Sequence, residues 1–326
     1  MLTAFNISQQ GESHRQRSIP CQDASFTRRI PYGCIPETDS SSDGNTDDKA
    51  VVIGVTADGI GQCAFSDRGA QTAVGAAADY LICRIPSVRT LTDDSVYGIL
   101  RAAMEKAQEA VRLQAEKEQN PYISYFSTLT LGIFDGKSFW FGHAGDDGIV
   151  VLYTDGTYEM ITSRHKGEYA GSVIPFEEES VWEFGKARGE VAAAAMMTDG
   201  ILDYCVGSEA MHNVIRAGFV VPMLTNIMDT DEAAEESRKE WEELLGELPE
   251  ESRETRVFRM DVTDDITLAL MQNPEAVGKL QDLSCEEGAW RNECARGILR
   301  RVKTNKKLFA AYRKFKSHLT GPREEI

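Results

Sequence analysis

Four short acidic motifs stand at the ends of expected strands. They read Val55-Thr56-Ala57-Asp58-Gly59, Gly142-His143-Ala144-Gly145-Asp146, Ala195-Met196-Met197-Thr198-Asp199-Gly200 and Asp264-Asp265-Ile266-Thr267-Leu268. The first three close an apolar run and the last opens one. Carboxylates at strand ends can converge on one rim of a sheet, where burial without a neutralising lysine or arginine is costly. Cations relieve that cost. The pattern therefore points to hard divalent metals, which prefer oxygen ligands and keep bound water.

Asp-Gly is also the commonest turn dipeptide, and the chain has six. Asp135-Gly136 and Asp155-Gly156 lie between short apolar runs and read as hairpin turns. Asp43-Gly44 sits in a polar loop. Asp58-Gly59 and Asp199-Gly200 differ, because each follows a buried-looking strand and leads toward a helix. A strand–Asp–Gly–helix junction presents the carboxylate at a sheet edge rather than in a solvent turn.

The order of the motifs resembles the metal-dependent protein serine/threonine phosphatases, the PP2C family. Gly11-Glu12-Ser13-His14 and Pro20-Cys21-Gln22-Asp23-Ala24 are similar to the opening motif of bacterial members. Ala57-Asp58-Gly59-Ile60-Gly61 resembles the Asp-Gly-x-Gly metal loop, and Ser66-Asp67-Arg68-Gly69-Ala70 with a helix follows it. Ser127-Thr128-Leu129-Thr130 and Gly142-His143-Ala144-Gly145-Asp146 resemble the two central strands. Thr198-Asp199-Gly200-Ile201-Leu202-Asp203 and Asp264-Asp265-Ile266-Thr267 resemble the two later acidic motifs. The likeness runs from about Phe5 to Met271.

This resemblance implies hydrolysis of phosphoserine or phosphothreonine on proteins, with two Mn²⁺ or Mg²⁺ ions and a third, weaker site. Asp58 would bridge two ions and the Gly59 carbonyl would ligate one. Asp199 and Asp264 would complete the first ion's shell, and Asp58, Asp199 and Asp264 form the expected catalytic set. Asp23 would hold a metal-bound water, and Asp146 would help bind the third ion. Such a metal pair makes hydroxide available near neutral pH and neutralises phosphoryl oxygens. No covalent enzyme intermediate is implied.

Some positions depart from the family pattern. Ile60 stands where eukaryotic members carry histidine, which leaves the leaving-group acid to water or His14. Ser18 stands where an arginine usually grips phosphate, with Arg17 and Arg15 close by. The usual Gly-Asp-Ser-Arg reads Gly145-Asp146-Asp147-Gly148. These departures describe a divergent member. They keep open a second reading, a catalytically impaired module that recognises a phosphorylated partner.

The elements that must position these residues are legible from periodicity. Val51–Ala57 reads as a strand, and 67–85 and 92–118 read as helices, the second capped at Thr92 or Asp93. Segments 126–134, 138–143, 149–153 and 157–161 read as consecutive antiparallel strands. Segments 190–197 and 266–271 add two more, with helical stretches at 208–218 and 231–245. The expected architecture is α+β, a four-layer α-β-β-α sandwich of two antiparallel sheets flanked by helices. Residues 1–273 would form the phosphatase domain and 274–326 a C-terminal extension. The Ser/Asp/Gly-rich stretch 38–49 reads as a hairpin loop. The polar stretch 164–179 reads as a solvated loop, while the family resemblance implies a place next to the flap beside the site, where it would choose substrates; 229–254 reads as a solvated acidic helix face.

Composition agrees with a single enzyme domain. A hydrophobic fraction of 42% supplies a substantial core. No apolar run is long enough to span a membrane, and the N-terminus lacks a signal-peptide layout. Seven scattered cysteines suit reduced thiols and a cytoplasmic setting. A net charge of −17 opposes nucleic-acid binding by the globular part. Arg300–Lys316 nevertheless carries eight basic residues and no acid, with Leu308, Phe309, Tyr312, Phe315 and Leu319 at helical spacing. This basic amphipathic helix would dock on the chain's own acidic surface, on a partner, or on anionic lipid or nucleic acid. The resemblance suggests a monomer.

Overall fold

Six strands are buried from end to end, because other layers cover both faces of each sheet. The computed structural model describes residues 1–33, 49–167, 172–206, 215, 217–255 and 263–287. Its strands are β1 (Thr3–Gln9), β2 (Ala24–Pro31), β3 (Ala50–Ala57), β4 (Leu129–Phe134), β5 (Phe139–Ala144), β6 (Gly148–Tyr153), β7 (Tyr158–Met160), β8 (Glu183–Lys186), β9 (Val191–Met197) and β10 (Ile266–Gln272). The first sheet has the order β1-β10-β9-β6-β7 and the second β2-β3-β4-β5-β8. Every pairing is antiparallel.

The helices are α1 (Glu12–Arg17), α2 (Ser66–Arg84), α3 (Asp93–Glu118), α4 (Asp199–Cys205), α5 (Ala217–Thr225), α6 (Asp231–Thr255) and α7 (Pro274–Glu287). Helix α2 presents Ala70, Ala73, Ala77 and Leu81 as one apolar stripe to the second sheet and α3. Helix α3 begins in a capping box: the Thr92 hydroxyl accepts from the Ser95 amide, and the Ser95 hydroxyl accepts from the Thr92 amide. Three apolar layers result. One lies between α2, α3 and the second sheet, one between the sheets, and one between the first sheet and α4–α7. This is the expected α-β-β-α sandwich.

Two expectations change. The strands from 126 to 161 do not pair consecutively: β4–β5 and β6–β7 are hairpins in different sheets, and the chain crosses between sheets at Gly145–Asp147. The stretch 164–179 is more than a solvated loop, since Arg164 and Phe176 are buried and both carboxylate oxygens of Glu177 are shielded from solvent. The acidic helix α6 has one solvated face but buries Ala234, Trp241 and Leu245. Helix α7, which begins where the extension was expected, sends Val277 and Leu280 into the core. The loop 38–48 and the basic segment 300–316 lie outside the described residues.

Candidate metal centre

Antiparallel register decides which strand ends meet. Ala24 pairs with Ala57, so Asp23 before β2 and Asp58 after β3 leave the second sheet side by side. Leu129 pairs with Ala144, which places Ser127-Thr128 and Gly145–Asp147 on the same rim. In the first sheet Gly148 and Leu268 both pair with Met197, so residues 146–147, 198–199 and 264–265 share an end. Gln9 pairs with Ile266 and brings α1 and His14 alongside.

Short bonds fix the backbone there. The Asp58 carbonyl accepts from the Thr128 amide at 2.8 Å, and the Asp58 amide donates to Thr128 Oγ1 at 2.8 Å. The Gly59 amide donates to the Gln22 carbonyl at 3.1 Å. A Cβ on Gly59 would lie 2.8 Å from the Ser66 backbone, so this loop closes onto α2 only with glycine. Thr198 joins the two sheets: its hydroxyl donates to Asp23 Oδ2 at 2.7 Å and accepts from the Thr267 amide at 3.0 Å.

The carboxylates act on one another through this rim. Burial, with the Asp265 charge and against the lowering by the Thr198 hydrogen bond, pushes the Asp23 carboxyl up to about 8. Burial raises Asp58 well above the carboxylate range, followed by the charges of Asp23, Asp199, Asp147 and Asp264. Asp199 rises to about 7 through burial, then Asp146 and Asp264. Among the described residues, no lysine or arginine forms an ion pair with Asp23, Asp58 or Asp199. An oxygen-only donor set under mutual repulsion is chemically suited to hard divalent cations.

The remaining sequence-derived residues fall into different places. Asp146 lies on the rim, with its side chain 12% exposed. Asp264 opens to solvent, its side chain 60% exposed, and its Oδ1 is 3.7 Å from His14 Nε2. His14 is buried and donates from Nδ1 to Asp265 Oδ2 at 2.9 Å. Arg17 is not brought to the acids: it is exposed and folds back onto Ser13, with Nε 3.1 Å from the carbonyl and Nη2 3.1 Å from Oγ. Ser18 caps α1 in the left-handed conformation and is also exposed.

Three residues escaped the sequence reading as site components. Asp265 accepts from the Gly11 amide at 2.6 Å and the Gln22 amide at 2.5 Å, besides His14, so it ties the opening motif to the closing one. Asp147 is fully buried; Oδ2 accepts from Thr128 Oγ1 at 2.8 Å, while Oδ1 has no partner. Arg164 comes from the stretch after β7 and binds the Asp146 carbonyl and Asp203. The acid doublets in Asp264-Asp265 and Asp146-Asp147 were the only available signal for the first two. Nothing local marks Arg164.

The model of the protein phosphatase 2C family matches residues 10–246, well over half of the chain. No curated protein matches by sequence. Among solved structures, serine/threonine phosphatase Stp1 from Staphylococcus aureus aligns over 84% of this chain and 95% of its own, at 14% identity and a TM-score of 0.52. The S. agalactiae serine/threonine phosphatase aligns over 83% and 99%, at 14% identity and a TM-score of 0.53. At this identity these likenesses bear on the fold, and the two-sheet sandwich agrees with them. With the family model spanning every acidic motif but the last, the chain belongs to the protein phosphatase 2C family.

Proposed function

We propose that this protein hydrolyses phosphoserine and phosphothreonine esters on proteins, using Mn²⁺ or Mg²⁺ held by Asp58, Asp199, Asp264 and the Gly59 carbonyl. The observation that carries this reading is that the strand ends bearing Asp23, Asp58 and Asp199 meet on one rim, joined through the Thr198–Asp23 bond, with no ion pair to lysine or arginine at any of the three among the described residues. Bound divalent ions supply Lewis-acid activation of water and neutralise phosphoryl charge. The chain's own residues supply the rest. In this reading Asp23, oriented by Thr198, holds a metal-bound water through a hydrogen bond. His14, oriented by Asp265 and 3.7 Å from Asp264, is the residue this reading assigns to protonate the leaving oxygen. The setting is cytoplasmic and the working form a monomer. No helix among the described residues is long and apolar enough to cross a membrane.

The test is phosphate release from a phosphothreonine peptide, with and without Mn²⁺. Wild type turns over only with metal, and Asp199→Asn loses more than about 100-fold, since even residues behind a ligand cost 10–100-fold. Equal rates in both proteins would remove Asp199 from the site. The placement of Arg17 away from the acids favours a second reading, a phosphoprotein-binding module with impaired catalysis. A folded, metal-loaded wild type that binds the phosphopeptide without turnover would establish that reading.

A further inference from the structure

Asp146 already has a cation. Arg164, with a side chain only 3% exposed, lies along the crossing between the two sheets. Its Nε donates to the Asp146 carbonyl at 2.9 Å, and Nη1 donates to Asp203 Oδ1 at 2.5 Å. Its Nη2 is buried without a hydrogen-bond partner, 4.0 Å from Asp146 Oδ2. The neighbouring His165 amide donates to the Gly145 carbonyl at 2.7 Å, which pins the segment carrying Arg164 to the rim. The side of the rim at residue 148 is closed to a long side chain, because a Cβ on Gly148 would come within 2.6 Å of Leu202 Cδ2. Positive charge therefore reaches Asp146 from Arg164 and, more remotely, Lys166.

We propose that the Arg164 guanidinium is a resident cation between Asp146 and Asp203 that takes the place of a third metal ion, leaving a two-metal centre. This rests on the reading of Asp58, Asp199 and Asp264 as metal ligands. A guanidinium keeps its charge at any working pH, and its fork is fixed here by two bonds. A divalent ion on the Asp146 carboxylate would face that charge at about 4 Å, or would have to displace it and strand a buried donor. Nη2 is the atom that makes the case: a buried donor without a hydrogen-bond partner, 4.0 Å from the carboxylate, sets a fixed positive charge against a second cation there.

The experiment counts bound Mn²⁺ on the full chain by equilibrium dialysis and calorimetric titration, with melting curves to confirm folding. Wild type is expected to saturate at two ions. Arg164→Gln is expected to accept a third, at least about fivefold tighter than any third ion in wild type, because removing one charge at 4 Å is worth that much even in water. Arg164→Lys, which keeps the charge, stays at two. Asp146→Asn leaves the wild-type count at two and abolishes the third ion of Arg164→Gln. A third ion of equal affinity in wild type and Arg164→Gln would overturn the proposal. So would a wild-type count lowered by Asp146→Asn, which decides the matter even if Arg164→Gln does not fold. A wild type that binds no Mn²⁺ overturns the metal reading as well, whereas one that binds three overturns only the role of Arg164.

Discussion

Asp265 sits beside the expected ligand Asp264 and does a different job. Three donors converge on its carboxylate, two of them backbone amides of the N-terminal segment. Asp265→Ala strands those donors and is expected to cost about 3 kcal/mol, measured by urea unfolding. A loss under 1 kcal/mol would mean that water replaces the carboxylate. His143 offers a pH test. Its Nε2–H donates to the Ser163 carbonyl at 2.9 Å, leaving Nδ1 to accept from Thr130 Oγ1 at 2.9 Å. Burial, and then the charge of His165, hold His143 down to about 3 from an ordinary 6.5. The unfolded chain takes up that proton near 6.5 and the folded chain does not. His143 therefore contributes stability above that pH, and the contribution is lost as pH falls from 6.5 toward 3. By pH 4.5 the loss is roughly 2–3 kcal/mol. Comparing unfolding at pH 7.5 and 4.5 for wild type and His143→Gln isolates it; equal acid losses in both would rule it out.

The packing of β6 against α4 sets the next prediction. Gly148 lies against Leu202, and restoring the arginine of the family motif there should overpack the contact. Gly148→Arg is expected to destabilise by about 2 kcal/mol, and Leu202→Ala in the same chain should recover part of it. Additive losses in the double variant would show that the two residues do not compete for space. Elements of this kind were unevenly legible from sequence. β3, α2 and α3 announce themselves through period and cap, and Thr92 is the cap that opens α3. β2 and β8 are edge strands with partly exposed, polar-diluted patterns, which periodicity does not single out. The jump between sheets at Gly145–Asp147 was also invisible, because strand partnership is settled by distant residues. For the same reason the acids could be named one by one, while Arg164 emerged only when the chain folded back onto Asp146.

For the whole molecule, the rim acids make stability depend on metal and pH together. Asp23 and Asp199 hold their protons to about 8 and about 7 in the metal-free fold, against 3.8 ordinarily. The folded chain thus binds protons that the unfolded chain has released, and that stability is present at low pH and lost as pH rises through 7 to 8. Without metal, the melting temperature should fall by roughly 5 °C or more between pH 6 and 8.5, and Mn²⁺ should restore it at the higher pH. A metal-free melting temperature that is flat or rises over this range would contradict the clustering. Asp23 and Asp58 leave the second sheet, while Asp199 and Asp264 leave the first. Under the proposed function, ions shared among them would act as a removable crosslink between two halves of the body, much as a disulfide would, but set by ion concentration. Amide exchange in β3 and β9 should then slow in step as metal is added, and a loaded centre becomes a signature of two sheets locked in register.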